Sequence, residues 1–440
     1  MMSERKRAET FHISTYGCQM NLADSRTLAA SLAARGYRQV QSETDADLII
    51  LNTCSVRQKA EERIFGRLGE LLGYKKRKPH VRIAVVGCMA QRLGNDLIER
   101  TPHVDHVLGT DRLFELPGVI EGDNGTPKVM TAFGHENMDM IEPVKDTPYS
   151  ALVTISRGCD NYCTYCIVPY VRGKERSHSA DYVVDAVRKM ADDGVVEVTL
   201  LGQNVNGYRH DGVDFPQLLL RVANETSIQR IRYMTSHPKD LSERLVDVMA
   251  DEPKLMPHVH LPLQSGNNRI LDRMGRKYTV EDYFRTIEYI RRRLDHVSIT
   301  TDLMVGFPSE TEQEYEDTLA AVERVCYDAA FMFRYSVRPG TAAAKYPDDV
   351  PEDVKIRRLN RLIKLQQRIS CETNQREVGR VCYSLVEGRS RRSDEYLRAR
   401  TEGNKTVLFK AAGVRIGSVL PIRVTEADAY TLHGEVVELS

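Results

Sequence analysis

Short apolar runs alternate with helix-period stretches along most of this chain, and that alternation limits the fold more than any other feature. Between residues 10 and 120 the runs Phe11–Tyr16, Asp47–Asn52 and Arg82–Val86 are separated by helical segments near Asp24–Arg35 and Gln58–Leu72. Strands joined by helices run parallel, so this segment reads as an α/β domain with a parallel sheet. A second alternation starts at Ala151, with strands near 151–156, 195–201, 230–235, 258–263, 297–303 and 330–336. These six β/α units fall short of the eight that close the usual barrel, so a partial (β/α)6 barrel is expected, its working mouth at the carboxyl ends of the strands.

The rest of the chain reads differently. Residues 121–149, with Gly122, Gly125, Pro127, Gly134, Pro143 and Pro148, lack periodicity and form a linker, with an edge strand near Lys128–Thr131. Residues 351–372 carry Lys355, Arg357, Arg358, Arg361, Lys364 and Arg368 behind Glu352 and Asp353, the pattern of a basic linker helix. From 373 to 438 short strands are punctuated by Gly388, Gly403-Asn404, Gly413, Gly417 and Gly434, the signature of a small antiparallel β-barrel. The divisions are therefore 10–120, 121–149, 150–350, 351–372 and 373–438, in keeping with about three domains for 440 residues. Lys and Arg number 62 and Asp and Glu 62, so any surface for an anionic partner has to be local. The start Met1-Met2-Ser3-Glu4-Arg5-Lys6-Arg7 has no apolar run behind it, which predicts a cytoplasmic chain, monomeric, with no membrane partner.

Nine cysteines remain to be placed, and in a reducing compartment cysteines at short spacing are metal or redox ligands more often than disulfides. The strongest local signal is Arg157-Gly158-Cys159-Asp160-Asn161-Tyr162-Cys163-Thr164-Tyr165-Cys166, a Cys-x3-Cys-x2-Cys loop directly after the first barrel strand. Three thiolates can hold three irons of a 4Fe-4S cluster and leave the fourth open. Zinc is the alternative, but it wants a fourth close ligand, and His178 is 12 residues beyond Cys166. Cys18, Cys54 and Cys88 each follow an N-terminal strand and lie 36 and 34 residues apart, one β/α unit each time. Ligands of open α/β sheets gather beyond the carboxyl ends of strands, so these three thiols form a second candidate site. Cys326, Cys371 and Cys382 have no partner spacing and read as packing residues.

The cysteine loop, followed by Ile167-Val168-Pro169-Tyr170-Val171-Arg172-Gly173, resembles the radical S-adenosylmethionine (SAM) superfamily, whose open iron chelates the methionine end of SAM. With the N-terminal three-cysteine domain and the small C-terminal barrel, residues 10–438 resemble the radical SAM methylthiotransferases, the barrel being TRAM-like. Thr15-Tyr16-Gly17-Cys18-Gln19-Met20-Asn21, Asn52-Thr53-Cys54-Ser55-Val56-Arg57, Gly87-Cys88-Met89-Ala90-Gln91 and Leu201-Gly202-Gln203-Asn204-Val205-Asn206 are similar to the tRNA-modifying MiaB type. The resemblance implies two 4Fe-4S clusters, on Cys18, Cys54 and Cys88 and on Cys159, Cys163 and Cys166, and two SAM per turnover. It implies methylthiolation of N6-dimethylallyladenosine at position 37 in a tRNA anticodon stem-loop, with an external electron donor and a sulfur donor as partners. Methylthiotransferases acting on threonylcarbamoyladenosine tRNA or a ribosomal-protein aspartate are alternatives, as is a non-catalytic iron–sulfur RNA-binding or electron-transfer protein.

SAM-binding candidates follow from their places at strand ends: Gly202 and Gln203 after the second barrel strand, Ser236 after the third, Gln264 and Ser265 after the fourth. Gly306, in Asp302-Leu303-Met304-Val305-Gly306-Phe307-Pro308, resembles the superfamily's fifth-strand element, where glycine lets backbone approach the adenosyl group. His237, His258 and His260 also fall at strand ends, where hydrogen-bonded structure is their ordinary role, and Lys75-Lys76-Arg77-Lys78 reads as a solvated loop. RNA contact is expected at Arg389, Arg391, Arg392, Arg398 and Arg400, opposed over residues 388–400 only by Asp394 and Glu395.

Overall fold

The computed structural model describes residues 9–55, 58–122, 125–134 and 144–437; the charged start Met1–Arg7, the pair Val56 and Arg57, and Pro143 lie outside them. In the N-terminal part six strands form one sheet, in the order Arg38–Gln39, Thr10–Thr15, Leu48–Thr53, Arg82–Gly87, His106–Leu108 and Lys128–Met130. Every pair is parallel. Leu48–Thr53 and Arg82–Gly87 are buried at every position, as central parallel strands covered on both faces must be. Their side chains alternate between two cores: Leu48 and Ile50 pack with Leu28 and Leu32, while Ile49 and Leu51 pack with Ile64 and Leu68. Lys128–Met130, read from sequence as an edge strand of the linker, completes this sheet. The basic run differs from expectation: Lys75, Lys76 and Arg77 form the last turn of the helix Gln58–Arg77, where the helix dipole favours cations.

The second alternation produces the six parallel strands it predicts: Ser150–Thr154, Glu197–Leu201, Arg230–Met234, His258–His260, Ser298–Val305 and Ala329–Arg334. They form two sheets joined at Ile231, whose N–H donates to Lys254 O at 2.7 Å and whose carbonyl accepts from Met256 N at 3.0 Å. The result is an arc, a partial barrel, with Lys145–Thr147 added antiparallel on its first edge. The helix Glu352–Gln375 is more than a linker. Leu362 and Ile369 are buried in the barrel's core, with Leu359 and Leu365 packed beside them, and the helix lies along the last strand. Its cations are largely spoken for: Arg358 pairs with Glu310 and Glu312 at 2.9 Å each, Lys355 with Asp348 at 2.5 Å, Arg368 with Glu323 at 3.0 Å, and Arg361 with Glu316.

The C-terminal strands Val381–Arg389, Leu397–Arg400, Thr406–Phe409, Val419–Ala427 and Leu432–Val436 close into a barrel. Four of its pairs are antiparallel; Thr406–Phe409 and Leu432–Val436 run parallel. This barrel docks on the amino ends of the central strands, opposite the mouth. There Glu197 accepts from Arg230 Nε at 2.9 Å and Arg232 Nε at 2.8 Å. The two guanidinium groups also donate to the carbonyls of Tyr383 (2.9 Å), Thr401 (3.3 and 2.7 Å) and Glu402 (2.9 Å). Among the described residues no helix is long and apolar enough to cross a membrane.

Candidate active site

Cys18, Cys54 and Cys88 come together because their strands are neighbours. Thr10–Thr15, Leu48–Thr53 and Arg82–Gly87 lie side by side, and one cysteine follows the carboxyl end of each. Beneath them is a buried polar network. Asn21 Nδ2 donates to Asn52 Oδ1 at 3.0 Å, Asn52 Nδ2 donates to Asn21 O and Ser25 Oγ at 2.9 Å, and the Cys18 thiol donates to Asn21 Oδ1 at 3.3 Å. Satisfied polar groups at this depth hold a single geometry. Gly87 is required by this crowding: its φ is +93°, and a Cβ there would stand 2.6 Å from Asn52 Oδ1. Burial pushes the Cys88 thiol up from its ordinary pKa, and the adjacent Arg172 guanidinium pulls the other way.

Cys159, Cys163 and Cys166 lie on the loop after Ser156–Arg157. Gly158 N donates to Gln203 Oε1 at 2.5 Å, Cys159 N to Gly173 O at 3.2 Å, and Thr164 N to Met274 O at 2.9 Å. Arg276, contributed from 113 residues away, is buried and points Nη1 at Cys163 Sγ, 3.4 Å distant. Burial, with Cys163 alongside, pushes Cys166 up to about 12. The segments that carry the two thiol sets pack on each other. Cys88 packs in one apolar cluster with Ile167 and Val171, and Met20 and Ala23, just past Cys18, pack on Leu201 and Leu152 of the central strands.

A cavity of about 760 Å³ opens beside Cys166, lined by Gln264, Asp302, Met304, Tyr335 and Ser336 among others. Its volume lies in the range of small-molecule sites. The sequence-predicted SAM residues divide around it. Gln264 lines the cavity, in a left-handed conformation with φ +70°. Gln203 ties down the cysteine loop, and Gly202 leaves room for Ser156 Oγ, 2.4 Å from where a Cβ would sit. Ser236 is buried at the end of the third strand. Ser265 caps the following turn through Asn267 N at 3.3 Å, and Gly306, with φ +69°, makes way for the Lys355 side chain. His258 and His260 both bond Thr300 Oγ1 at 3.0 Å, while burial beside Arg276 lowers His237 to about 2, leaving its Nδ1 to accept from Lys239 N. Cys326 ends a helix, its thiol donating to Glu323 O at 3.0 Å, Cys382 lies in the C-terminal core, and Cys371 is half-buried on the helix Glu352–Gln375.

Of the candidate RNA-binding arginines, Arg398 and Arg400 pair with Glu387 at 3.0 and 2.6 Å. Arg389, Arg391 and Arg392 stay exposed, with Arg389 Nη1 donating to Asp394 O at 3.1 Å. Sequence reasoning did not single out Asp24, Arg157, Arg172 or Arg276. Asp24 and Arg172 stood inside segments already marked, and a charged residue at a buried position was the available signal; Arg276 had none.

Three stretches match family models: residues 10–109 the uncharacterized protein family UPF0004, 153–322 the Radical SAM superfamily, and 375–437 the TRAM domain. A tRNA-2-methylthio-N(6)-dimethylallyladenosine synthase of Phocaeicola vulgatus is 44% identical over 445 residues, covering 99% of this chain and 97% of the relative. That of Pelotomaculum thermopropionicum is 45% identical over 435 residues, covering 96% and 97%. The chain belongs to this synthase family. It is a radical SAM methylthiotransferase, a class that works with iron–sulfur chemistry and SAM. The fold is shared with the radical SAM methyltransferase TsrM of Kitasatospora setae, at TM-score 0.56 and 14% identity over 76% of this chain and 77% of that one. It is shared too with the cobalamin-dependent radical enzyme OxsB, at TM-score 0.52 and 14% identity over 81% and 56%.

The residues present fit these groups. Among the described residues no three His, Cys, Asp or Glu side chains are placed to hold one metal ion. Arg172 Nη1, Ser156 Oγ and Ser236 Oγ are buried without hydrogen-bond partners. Buried donors left without partners keep hydrogen-bonding capacity for a bound group.

Proposed function

We propose that this synthase methylthiolates carbon 2 of N6-dimethylallyladenosine at position 37 of a tRNA, using two 4Fe-4S clusters. Cys18, Cys54 and Cys88 hold one cluster, and Cys159, Cys163 and Cys166 hold the other. The observation that carries the reading is the packing of one three-thiol site directly on the other, Cys88 against Ile167 and Val171. Three thiolates at each site would hold three irons of a cluster and leave the fourth for substrate or SAM. When bound, the clusters and SAM supply a methyl group and the radical chemistry that an unreactive C–H bond demands. The chain's own residues position. Gln203 and Arg276 fix the Cys159 loop, Gln264 and Ser236 present polar groups to SAM, and the apolar walls Met304, Met332 and Phe333 keep water from the reacting centre.

The RNA is held in two places. Arg389, Arg391 and Arg392 of the C-terminal barrel offer salt-dependent phosphate contacts. At the mouth, exposed Tyr162 and Tyr170 meet edge to face at 6.2 Å and offer a stacking surface for an unpaired base. The target base must leave its stack to reach the cavity. An external electron donor and a sulfur donor complete the cycle, and the cytoplasm supplies all of these partners.

The test is anaerobic reconstitution with iron and sulfide, incubation with dimethylallyl-modified tRNA, SAM and dithionite, then nucleoside mass spectrometry. A 2-methylthio product is expected. Deoxyadenosine without that product would discard this RNA, and product only on threonylcarbamoyladenosine tRNA would reassign the substrate.

A further inference from the structure

Asp24 is almost wholly buried on the helix that begins beside Cys18, and both of its carboxylate oxygens pair outside its own domain. Its Oδ1 accepts from Arg157 Nη2 at 2.7 Å, and its Oδ2 accepts from Arg172 Nη2 at 3.1 Å. All three side chains are only 3–4% exposed. Arg157 stands two residues before Cys159, and Arg172 six residues after Cys166, so the carboxylate grips both ends of the loop that carries the second thiol set. Arg172 follows Val171, which packs on Cys88 of the first thiol set. Charges buried this deeply are kept only where pairing compensates them. Here the pairing runs from one thiol site to the other.

We propose that Asp24 is a positioning residue that, through Arg157 and Arg172, fixes the separation and mutual orientation of the two thiol sites. Arg172 in turn presents a cation to whatever Cys88 ligates. The inference rests on the two-cluster reading above. It assigns Asp24 no contact with substrate. A group delivered from one site to a base activated at the other depends steeply on that separation, so loosening the grip uncouples the two chemistries without stopping either.

Asp24→Asn keeps the shape and removes the charge; Arg172→Met keeps the apolar stem and removes the grip. Reconstituted holoenzymes are compared with the parent for iron and sulfide per chain and for the magnetic interaction between the reduced clusters by EPR. Deoxyadenosine and methylthio product are measured in the same reaction. Both variants are expected to keep their iron, circular dichroism and deoxyadenosine formation, to change the spin–spin interaction relative to the parent, and to lose product relative to deoxyadenosine by about 100-fold, the scale of an ångström of misplacement. An unchanged interaction with an unchanged product ratio overturns the proposal. The EPR arm needs no RNA, so it judges Asp24 whichever nucleoside is modified. If Cys18→Ala/Cys54→Ala/Cys88→Ala binds as much iron as the parent, the two-cluster reading falls and the proposal with it.

Discussion

Replacing Glu197 by Gln tests how the C-terminal barrel is held on the catalytic domain. Burial pushes the Glu197 carboxyl up, and the facing Arg232 and Arg230 outweigh it, holding it below the usual carboxylate range. The same burial lowers Arg232 to about 10, because one carboxylate compensates two cations. Both Nε–H groups converge on Glu197 Oε2, so a glutamine oxygen can keep both bonds, but the charge is gone and two buried guanidinium groups are left without a counter-charge. Breaking a buried pair in this way costs about 3–5 kcal/mol, and the surviving hydrogen bonds put Glu197→Gln near the lower end, about 3 kcal/mol. At about 2–4 °C per kcal/mol for a domain of this size, melting should fall by about 6–12 °C. The assay is thermal unfolding of the apo protein by circular dichroism, with limited proteolysis around Gly379 to report undocking. KM for RNA should rise while RNA-independent deoxyadenosine formation holds. A depressed carboxyl contributes its stability above the ordinary carboxylate range and loses it as pH falls through the folded value. The gap between parent and variant should therefore stay constant at neutral pH and close only in acid. Melting within about 2 °C of the parent, with KM unchanged, would show that docking rests on apolar contacts such as Tyr149 against Gly417.

Gly158→Ala should abolish the cluster on Cys159, Cys163 and Cys166. At φ +81° its Cβ would lie 2.1 Å from Lys174 O and 2.6 Å from Gly173 O, the carbonyl that receives Cys159 N. Iron per chain should fall with far-ultraviolet circular dichroism unchanged, and full iron with normal deoxyadenosine formation refutes the argument. Removing exposed Arg391 and Arg392 should raise KM for RNA and lower its salt slope by about 2. Arg398→Ala should instead lower melting through the lost Glu387 pair and leave the slope alone.

Local pattern was enough to read much of this protein. Strand positions in both α/β parts follow from apolar runs, because each strand needs only its own side chains to mark it. The six candidate cysteines follow from spacing, because a cubane corner needs a thiolate wherever the loop or strand end can supply one. The helix Glu352–Gln375 shows where that reading stops. Its cations suggested a linker, while Leu362 and Ile369 were already at helical spacing for a buried face. Charge drew attention first, although half of that helix turns its basic residues onto acids of the barrel.

What tertiary structure alone decided are contacts between residues far apart in the chain. Asp24 meets Arg157 across 133 residues, Arg276 meets Cys163 across 113, and Arg230 meets Tyr383 across 153. Nothing local distinguishes an arginine that will reach a thiol or a carbonyl from one that will point into water. The same holds for Gly306, whose missing Cβ makes room for Lys355 from the closing helix, and for the cavity at the fifth and sixth strands. Sequence carries the ligands and the periodicity, since both are set by covalent neighbours. The separation of the two thiol sites and the placing of the C-terminal barrel are set by packing, and packing exists only once the chain has folded.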